Sequence, residues 1–430
     1  MQRQRVARRR VTRVALVAAL MVGGAVTLPA LGATKGGATV GWFAAWSRSQ
    51  SVVVGATADS LDGGRGPGPL LEQSVRDIVR LTGAGEAVRV RLSNRYGASL
   101  SPSTTTPLHV LAASFGRRAK GAALVARTVR RLTFAGHSDV TIAAGGTVIS
   151  DPLVLATDAG EDVAVSLFVE ATPVAPQHGA SFATSFVSPL GSGDYTQEAG
   201  GAAYTEHTES TLVLSGVDVQ SRRLRGVIAA TGGSVTDGFG TTIDSYTDFP
   251  SWLSLRIRKE LPATRQQTVI NNGLGGTTAS RACAVPGTGP SVEERVAHDS
   301  LAQPGLTDLI VYAGTNDLGD GCNATQIIRA FLSIVSQAHA RGIRVLISTI
   351  TPRGSYTAIQ NAEREKVNAW VRKDGTCSGS CERSLDFDVV IRDKTNHNRI
   401  DPKLDSGDGI HPTGEGYRRI AASIPLVALQ

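Results

Sequence analysis

The chain has 430 residues, of which 41% are hydrophobic and 19% are charged, and this composition is typical of a folded globular protein. Its length exceeds what one hydrophobic core usually supports, so two domains are expected. The formal net charge is +7, but the first 33 residues contribute six arginines and no acidic residue, which leaves 38 basic residues against 37 acidic ones. A nearly neutral remainder argues against a nucleic-acid-binding protein.

The N-terminus has the pattern of a targeting segment. Its arginines are followed by an apolar run from Val14 to Leu28, which is shorter than the roughly 20 residues that span a bilayer. Small residues then suit cleavage at Gly32 or Ala33. We predict a signal peptide over 1–33 and a secreted, extracellular protein without a stable membrane anchor after its removal. Retention of the same segment as an anchor is the alternative.

Residues 42–220 follow a period of two. Apolar and polar side chains alternate at 88–92, 139–143, 163–169 and 211–219, and turn-forming clusters such as "SNRYG" and "TDAGED" separate these runs. Several short alternating strands without a convincing helix are typical of a β-sandwich. We predict a β-sandwich accessory domain here, with no evident cluster of reactive side chains, followed by the charged linker "QSRRLRG".

From Gly226 the pattern changes to that of a parallel sheet. The runs "GVIAATGG", "TVINNG", "DLIVYAG", "RVLIST" and "FDVVI" have the composition of strands buried on both faces. Helical stretches lie between them, and the clearest is "ATQIIRAFLSIVSQAHARG", a periodic apolar stripe that ends at Gly342. This alternation predicts a doubly wound α/β domain over 226–430, with ligands beyond the carboxyl ends of its strands.

Polar groups suited to nucleophilic catalysis follow these predicted strands. Ser234 follows the first strand, Gly276 lies in the glycine-rich turn after the second, and Asn316 follows the third. Asp408 and His411 lie on a loop with Gly and Pro before the last predicted helix. Each residue alone is most often a turn or cap residue. Together they provide a nucleophile, a base, an orienting acid and oxyanion donors.

Other kinds of site fit the residues less well. A nucleophile elbow needs G-x-S-x-G, whereas "GGSVT" has Thr236 at the last position. The stretch "GGSVTDG" also lacks the G-x-G-x-x-G of a dinucleotide site. A metal site made of Asp405, Asp408 and His411 would lack a second histidine, so no metal or cofactor is expected.

The four cysteines all lie in the second half of the chain and allow three pairings. Disulfides are the leading expectation for an exported protein. The spacing of Cys377 and Cys381 favours a local bridge, which leaves Cys283 to pair with Cys322. A zinc site is the rival, although neither CxxC spacing nor an adjacent histidine is present.

On these residues, 226–430 resembles the SGNH superfamily of GDSL-type esterases and lipases. Ser234 matches the nucleophile block, Gly276 the glycine block, Asn316 of "GTND" the asparagine block, and Asp408 and His411 of "DGIH" the D-x-x-H block. The segment 42–220 resembles, less specifically, the β-rich domain of some secreted actinobacterial members, through "WFAAW", "VRVRLSNRYG" and "GGTVISDP".

The resemblance implies a secreted serine ester hydrolase without a cofactor. Ser234, His411 and Asp408 would form the triad, and the N–H groups of Ser234 and Gly276 with the Asn316 side chain would form the oxyanion hole. The substrate would be an ester of a small molecule, a lipid or an acetylated carbohydrate, and no nucleic acid is expected as a partner. A serine peptidase is a further alternative that the family match disfavours.

One position departs from the family pattern. The family's first block has Gly-Asp-Ser, and this chain has Gly233 before Ser234. A looser nucleophile loop and a slow enzyme are expected, unless Asp237 or Asp317 supplies the missing anchor. The same departure is the one feature that favours a weakly active or non-catalytic protein that binds carbohydrates or surfaces.

Overall fold

The first part of the chain is built from antiparallel strands, and the second from parallel strands with helices between them. The computed structural model describes residues 40–50, 69–95, 106–172, 175–285 and 288–429. The predicted signal peptide over 1–33 lies outside the described residues. Within the described ranges, no helix combines the length and apolar character that a membrane crossing requires.

The antiparallel part, here called the β-rich part (residues 40–221), forms two larger sheets and a small one. One sheet has the order β1-β14-β3-β8, and another has the order β12-β11-β2-β9-β4-β5 with β6 and β7 also paired to β4, while β10 pairs with β13. The strands are β1 (Gly41–Ser47), β2 (Leu70–Arg80), β3 (Ala87–Ser93), β4 (Leu108–Lys120), β5 (Ala123–Leu124), β6 (Arg130–Arg131), β7 (Val140–Ile142), β8 (Thr147–Ile149), β9 (Asp162–Thr172), β10 (Gln177–His178), β11 (Ser185–Val187), β12 (Glu206–Thr208), β13 (Thr211–Leu212) and β14 (Leu214–Ser221).

The alternating runs of the sequence coincide with strands of these sheets. The runs at 88–92, 139–143 and 163–169 lie on β3, β7 and β9. The run at 211–219 is divided into β13 and β14 at Val213, whose φ of 64° is left-handed. Buried residues from both larger sheets, such as Val75 and Val90, belong to one hydrophobic cluster.

The second part contains a five-stranded parallel sheet in the order β16-β15-β17-β18-β19. Its strands are β15 (Gly226–Gly232), β16 (Gln267–Gly273), β17 (Leu306–Tyr312), β18 (Arg344–Ser348) and β19 (Arg383–Leu385). The helices are α1 (Ser234–Asp237), α2 (Phe249–Glu260), α3 (Val292–Asp299), α4 (Thr315–Gly319), α5 (Ala324–His339), α6 (Ala358–Arg372), α7 (Phe387–Ile391) and α8 (Gly414–Ser423).

Helices cover both faces of this parallel sheet. Val227 and Ala229 of β15 belong to the core that includes residues of α3, α5 and α6, whereas Ile228 and Ala230 belong to the core with α2, α7 and α8. Because β16 and β17 flank β15 on opposite sides, the strand order reverses at β15. A crevice lies at this point, at the carboxyl ends of β15 and β17. The predicted doubly wound arrangement is therefore present.

One of the five predicted strands is wrong. The run "FDVVI" forms α7, and the fifth strand is the preceding β19. The side chain of Asp386 caps α7 by accepting the N–H of Val389, and buried Phe387 and Ile391 lie four positions apart, on one face of the helix. A short apolar run does not distinguish a strand from a helix, and here the N-cap decides for the helix.

Strand β1 connects the two parts of the chain. It pairs with β14, and the Thr268 hydroxyl on β16 donates to the carbonyl of Ala44. The N–H of Ala44 donates to the Pro304 carbonyl. Residues 39–430 thus pack as one compact unit, and the division into 42–220 and 226–430 remains a prediction from the sequence.

Both predicted disulfides are present. Cys283 pairs with Cys322 across 39 residues, with the two Cα atoms 6.0 Å apart, and Cys377 pairs with Cys381. The first bridge joins the segment after the Gly276 loop to the segment after α4, so it ties together two loops at the carboxyl edge of the sheet.

Candidate active site

Ser234 begins α1 directly after β15, at the crevice. Gly233 before it is the N-cap, with extended backbone at φ −88° and ψ −152°. A Cβ atom on Gly232 would overlap the carbonyl of Tyr312 on β17, so only glycine permits this close approach of the two strands. The Thr236 hydroxyl donates to the same Tyr312 carbonyl at 2.8 Å. These contacts fix the turn that presents the half-buried Ser234 to the crevice.

His411 and Asp408 lie on the loop between α7 and α8, and they reach Ser234. His411 Nε2 is 2.8 Å from Ser234 Oγ, and His411 Nδ1 is 2.5 Å from Asp408 Oδ2. Partial burial opposes ionisation of Asp408, but hydrogen bonds from His411 and from the N–H of Ile410 outweigh burial and hold the pKa of Asp408 below its usual value. Two contacts thus connect Ser234, His411 and Asp408 in that order, which is the arrangement that a nucleophile, a base and an orienting acid require.

Asp405, the neighbouring carboxylate on this loop, has a different role. Its Oδ1 accepts the N–H groups of Gly407 and Gly409, at 2.9 Å and 3.0 Å. These bonds shape the loop, whereas the ring of His411 is bound by Asp408. The spacing of Asp408 and His411 in the sequence therefore identified the pair that the structure brings together.

The predicted oxyanion donors lie at the ends of β16 and β17. Asn316 Nδ2 donates to the Thr277 carbonyl at 3.0 Å and lies 3.5 Å from the position that a Cβ on Gly233 would take. Gly276 has a φ of 75°, which glycine adopts without strain. Among the described residues, the backbone N–H groups of Ser234 and Gly276 donate no hydrogen bond. All three predicted donors thus border the turn that carries Ser234.

Two buried aspartates hold the loops of this site. Asp237, the last residue of α1, accepts the N–H of Gly275 at 3.1 Å. Asp317, next to Asn316, accepts the N–H groups of Ala279 and Ser280 at 2.7 Å and 2.8 Å. Burial raises the pKa of Asp317 to about 6, although these backbone donors lower it in part. Carboxylates at 237 and 317 therefore anchor the segments on either side of Gly276.

The comparison with protein families agrees with this arrangement. Residues 230–419 match the model of the GDSL-like Lipase/Acylhydrolase family. This part of the chain belongs to that family. All five predicted site residues lie within the matched range. No curated protein matches the chain significantly.

Solved structures similar to the chain cover just under half of it. A lipolytic protein assigned to the G-D-S-L family from Desulfitobacterium hafniense has 21% identity, with 46% of this chain and 96% of that chain covered, at a TM-score of 0.36. A psychrotrophic esterase from Pseudoalteromonas sp. has 15% identity, with 46% and 93% covered, at a TM-score of 0.34. A carbohydrate acetylesterase family member from Sinorhizobium meliloti has 17% identity, with 47% and 96% covered, at a TM-score of 0.35.

The GDSL-like domain also uses residues that sequence reasoning missed. Arg295 on α3 is fully buried and donates to the carbonyls of Gly232 and Asn272, at 2.7 Å and 2.8 Å. It thereby joins the ends of β15 and β16, which lead into the Ser234 turn and the Gly276 loop. The sequence offered one sign of this buried role, which is an arginine between Val292 and Val296 on the apolar face of a helix.

Two further contributors to the GDSL-like domain come from the β-rich part. Arg48 follows β1 and His178 ends β10, and both contact Asp237 Oδ1, at 2.7 Å and 3.1 Å. No spacing in the sequence connects these residues with position 237. The sequence shows no evident cluster of reactive side chains in the β-rich part, and these two residues meet Asp237 only in the folded structure.

An aromatic pair lies beside His411. The Phe239 ring centroid is 5.3 Å from that of His411, and Phe182 of the β-rich part meets Phe239 edge-on at 5.0 Å. Phe182 has a φ of 52°, which is uncommon for a residue with a side chain. These half-buried rings form an apolar wall next to the predicted base of the GDSL-like domain.

Proposed function

We propose that the protein is a secreted serine ester hydrolase in which Ser234, His411 and Asp408 act as a triad. The observation that carries this proposal is the continuous pair of contacts from Ser234 Oγ to His411 Nε2 and from His411 Nδ1 to Asp408 Oδ2. Membership of a lipase and acylhydrolase family supports ester hydrolysis. The two disulfides support an oxidising, extracellular location.

The first step transfers the acyl group to the enzyme. His411 Nε2 takes the proton of Ser234 as Oγ attacks the ester carbonyl carbon, and Asp408 orients the imidazole and stabilises its cation. The tetrahedral intermediate collapses by breaking the bond to the alcohol oxygen, which receives the proton from His411. An acyl ester on Ser234 and a free alcohol result.

The second step releases the acid. His411 takes a proton from water, whose oxygen attacks the acyl carbonyl, and the proton then returns to Ser234 Oγ as the acyl bond breaks. One ester and one water give one carboxylic acid and one alcohol. The residues of this chain accept and return every proton that moves in the two steps. The reaction requires no metal or organic cofactor.

Three donors stabilise the oxyanion in both steps. The N–H groups of Ser234 and Gly276 are two of them. The Asn316 side chain is the third, because an amide NH2 has two hydrogens and one of them is used on the Thr277 carbonyl. Loss of one such donor lowers kcat by roughly a hundred- to a thousandfold.

We assign to the β-rich part the β-sandwich accessory domain that the sequence predicts for 42–220. The hydrophobic cluster shared by its two larger sheets supports this assignment. The substrate is an ester of a small molecule, a lipid or an acetylated carbohydrate, with an apolar group beside Phe239 and Phe182.

Hydrolysis of a short-chain nitrophenyl ester tests the proposal. We expect turnover by the purified protein, its loss in Ser234→Ala with unchanged thermal unfolding, and labelling of Ser234 by a serine-directed phosphonate. Labelling of another serine would refute the assigned nucleophile. A folded protein without turnover or labelling would instead favour the non-catalytic binding protein.

A further inference from the structure

The carboxylate of Asp237 lies where the two parts of the chain meet. Asp237 is fully buried, and it ends the helix that begins with Ser234. Its Oδ1 faces Arg48 Nη1 at 2.7 Å and His178 Nε2 at 3.1 Å, and its Oδ2 accepts the N–H of Gly275 at 3.1 Å. One carboxylate therefore connects the nucleophile helix, the loop of Gly276 and two side chains of the β-rich part.

Both ring nitrogens of His178 face oxygen atoms. Nδ1 lies 2.6 Å from the carbonyl oxygen of Ser49, and Nε2 lies 3.2 Å from that of Ala180, in addition to Asp237. Burial opposes ionisation of Asp237, but the neighbouring His178 and Arg48 outweigh burial and lower its pKa.

Arg48 also holds the aromatic wall. Its Nη2 donates to the Ser181 carbonyl at 3.1 Å, and the next residue, Phe182, packs on Phe239 beside His411. The N–H of Asp244 donates to the Phe182 carbonyl at 2.9 Å, which fixes this segment against the GDSL-like domain. The same arginine is thus bonded to the nucleophile helix and to the segment that faces the base.

We propose that Arg48 and His178 are positioning residues, through which the β-rich part sets the placement of Ser234 and of the Gly276 loop. This inference rests on the proposed esterase function. Arg48 and His178 hold the Asp237 carboxylate in place, and that carboxylate holds the N–H of Gly275 next to the Gly276 donor. A misplacement of about 1 Å at reacting groups can lower a rate roughly a hundredfold, so the effect should appear in kcat.

The test compares Arg48→Met with a matched control, Arg91→Met. Arg91 is also an almost buried arginine of the β-rich part, paired with the carboxylate of Asp218, and has no contact with Asp237. With a nitrophenyl ester, we expect kcat to fall roughly ten- to a hundredfold in Arg48→Met, with a smaller change in KM. Arg91→Met should keep the wild-type kcat. His178→Gln should lower kcat in the same way as Arg48→Met.

Amide hydrogen exchange of the segment 271–277 gives a readout that does not depend on turnover. Faster exchange in Arg48→Met than in Arg91→Met is expected, since Gly275 loses a fixed acceptor. Equal exchange and equal kcat in the two variants would overturn the proposal. If wild-type protein hydrolysed no ester, the proposed function would fail, and exchange would still decide whether Arg48 positions the loop.

A conservative variant covers the case in which Arg48→Met does not fold. Arg48→Lys retains a cation that reaches Asp237 but lacks the second nitrogen that binds the Ser181 carbonyl. We expect a folded protein with a smaller loss of kcat and partial protection of 271–277. Wild-type kcat and exchange in Arg48→Lys, together with wild-type values in His178→Gln, would reject a positioning role.

Discussion

Asp77 in the β-rich part and Asp237 in the GDSL-like domain are both fully buried, but their environments have opposite effects. Asp77 accepts the N–H of Leu212 at 3.1 Å, and burial raises its pKa to about 8 because hydrogen bonds offset burial only in part. Burial also opposes ionisation of Asp237, but the neighbouring His178 and Arg48 outweigh burial and lower its pKa. Burial alone keeps a carboxylic acid neutral at pH 7, whereas nearby cations and hydrogen-bond donors favour the ionised form of a buried carboxylate. The charged aspartate is the one beside the candidate nucleophile.

The largest effect is expected for Asp408, in the GDSL-like domain. Asp408→Asn should lower kcat by roughly 10⁴-fold, because the imidazole of His411 takes the wrong tautomer. Asp405→Asn should have a much smaller effect, since Asp405 binds only backbone N–H groups of the loop. Steady-state kinetics on one ester measures both variants. A greater loss in Asp405→Asn would place the acid three residues earlier.

Activity should also depend on pH in the acidic range. The pKa of Asp408 is lowered, so this carboxylate stays ionised well below neutral pH and continues to orient the imidazole of His411. We expect kcat/KM to rise with pH through a single ionisation. A second acid ionisation at higher pH than that expected of a carboxylate with a lowered pKa would contradict the assignment of Asp408.

The Asp237 side of the comparison is tested by Asp237→Asn. Removal of the carboxylate leaves Arg48 and His178 buried without it, which should lower the free energy of unfolding by about 3–5 kcal/mol at pH 7. Because the folded-state pKa of Asp237 is lowered, its stabilisation is present above the unfolded-state pKa and is lost as the pH falls through the folded-state value. Denaturant unfolding at pH 7 and under acidic conditions should therefore give a difference that shrinks with acidity.

Asp77→Asn should raise the free energy of unfolding, whereas Asp237→Asn should lower it. The folded-state pKa of about 8 exceeds the unfolded-state value, so the folded protein binds more protons between them, and its stability falls as the pH rises through this range. Asparagine does not ionise, so the variant keeps its stability over this range. We expect its free energy of unfolding to exceed that of the wild-type protein by up to about 4 kcal/mol at pH 7. Wild-type kcat is expected. Unfolding curves that keep the same pH slope in both proteins would contradict this account of Asp77.

A separate effect concerns the two disulfides. The chain-entropy model gives about 4 kcal/mol for the 39-residue separation of Cys283 and Cys322, and about 2 kcal/mol for the local Cys377–Cys381 bridge. Cys283→Ser with Cys322→Ser should therefore lower the free energy of unfolding more than Cys377→Ser with Cys381→Ser. Equal losses would indicate that loop closure does not govern their contribution.

The smallest effect is expected for Gly233→Asp. A Cβ atom at this position would lie 3.0 Å from the Thr277 carbonyl, and the carboxylates of Asp237 and Asp317 already anchor the neighbouring loop. We expect kcat to fall severalfold in this variant, because another aspartate already supplies the anchor. An increase in kcat would instead support the loose loop that the departure from the family pattern suggests.

The sequence by itself determined the groups that follow the strands of the parallel sheet. Parallel strands end at one edge, so the positions of Ser234, Gly276 and Asn316 after three apolar runs were sufficient to bring them together. The spacing of Asp408 and His411 identified two side chains that lie in contact. The spacing of Cys377 and Cys381 identified their bridge, which left Cys283 to pair with Cys322. These are local patterns, and local patterns are visible in one sequence.

The tertiary structure alone decided three other features. The run "FDVVI" became α7 because its cap outweighs an ambiguous apolar pattern, and Val213 divided one alternating run into two strands. The partners of Asp237 come from 189 and 59 positions away in the chain. Such contacts arise only when the β-rich part packs on the GDSL-like domain, because charge and hydrogen-bond geometry across that junction depend on distances that no spacing along the chain encodes.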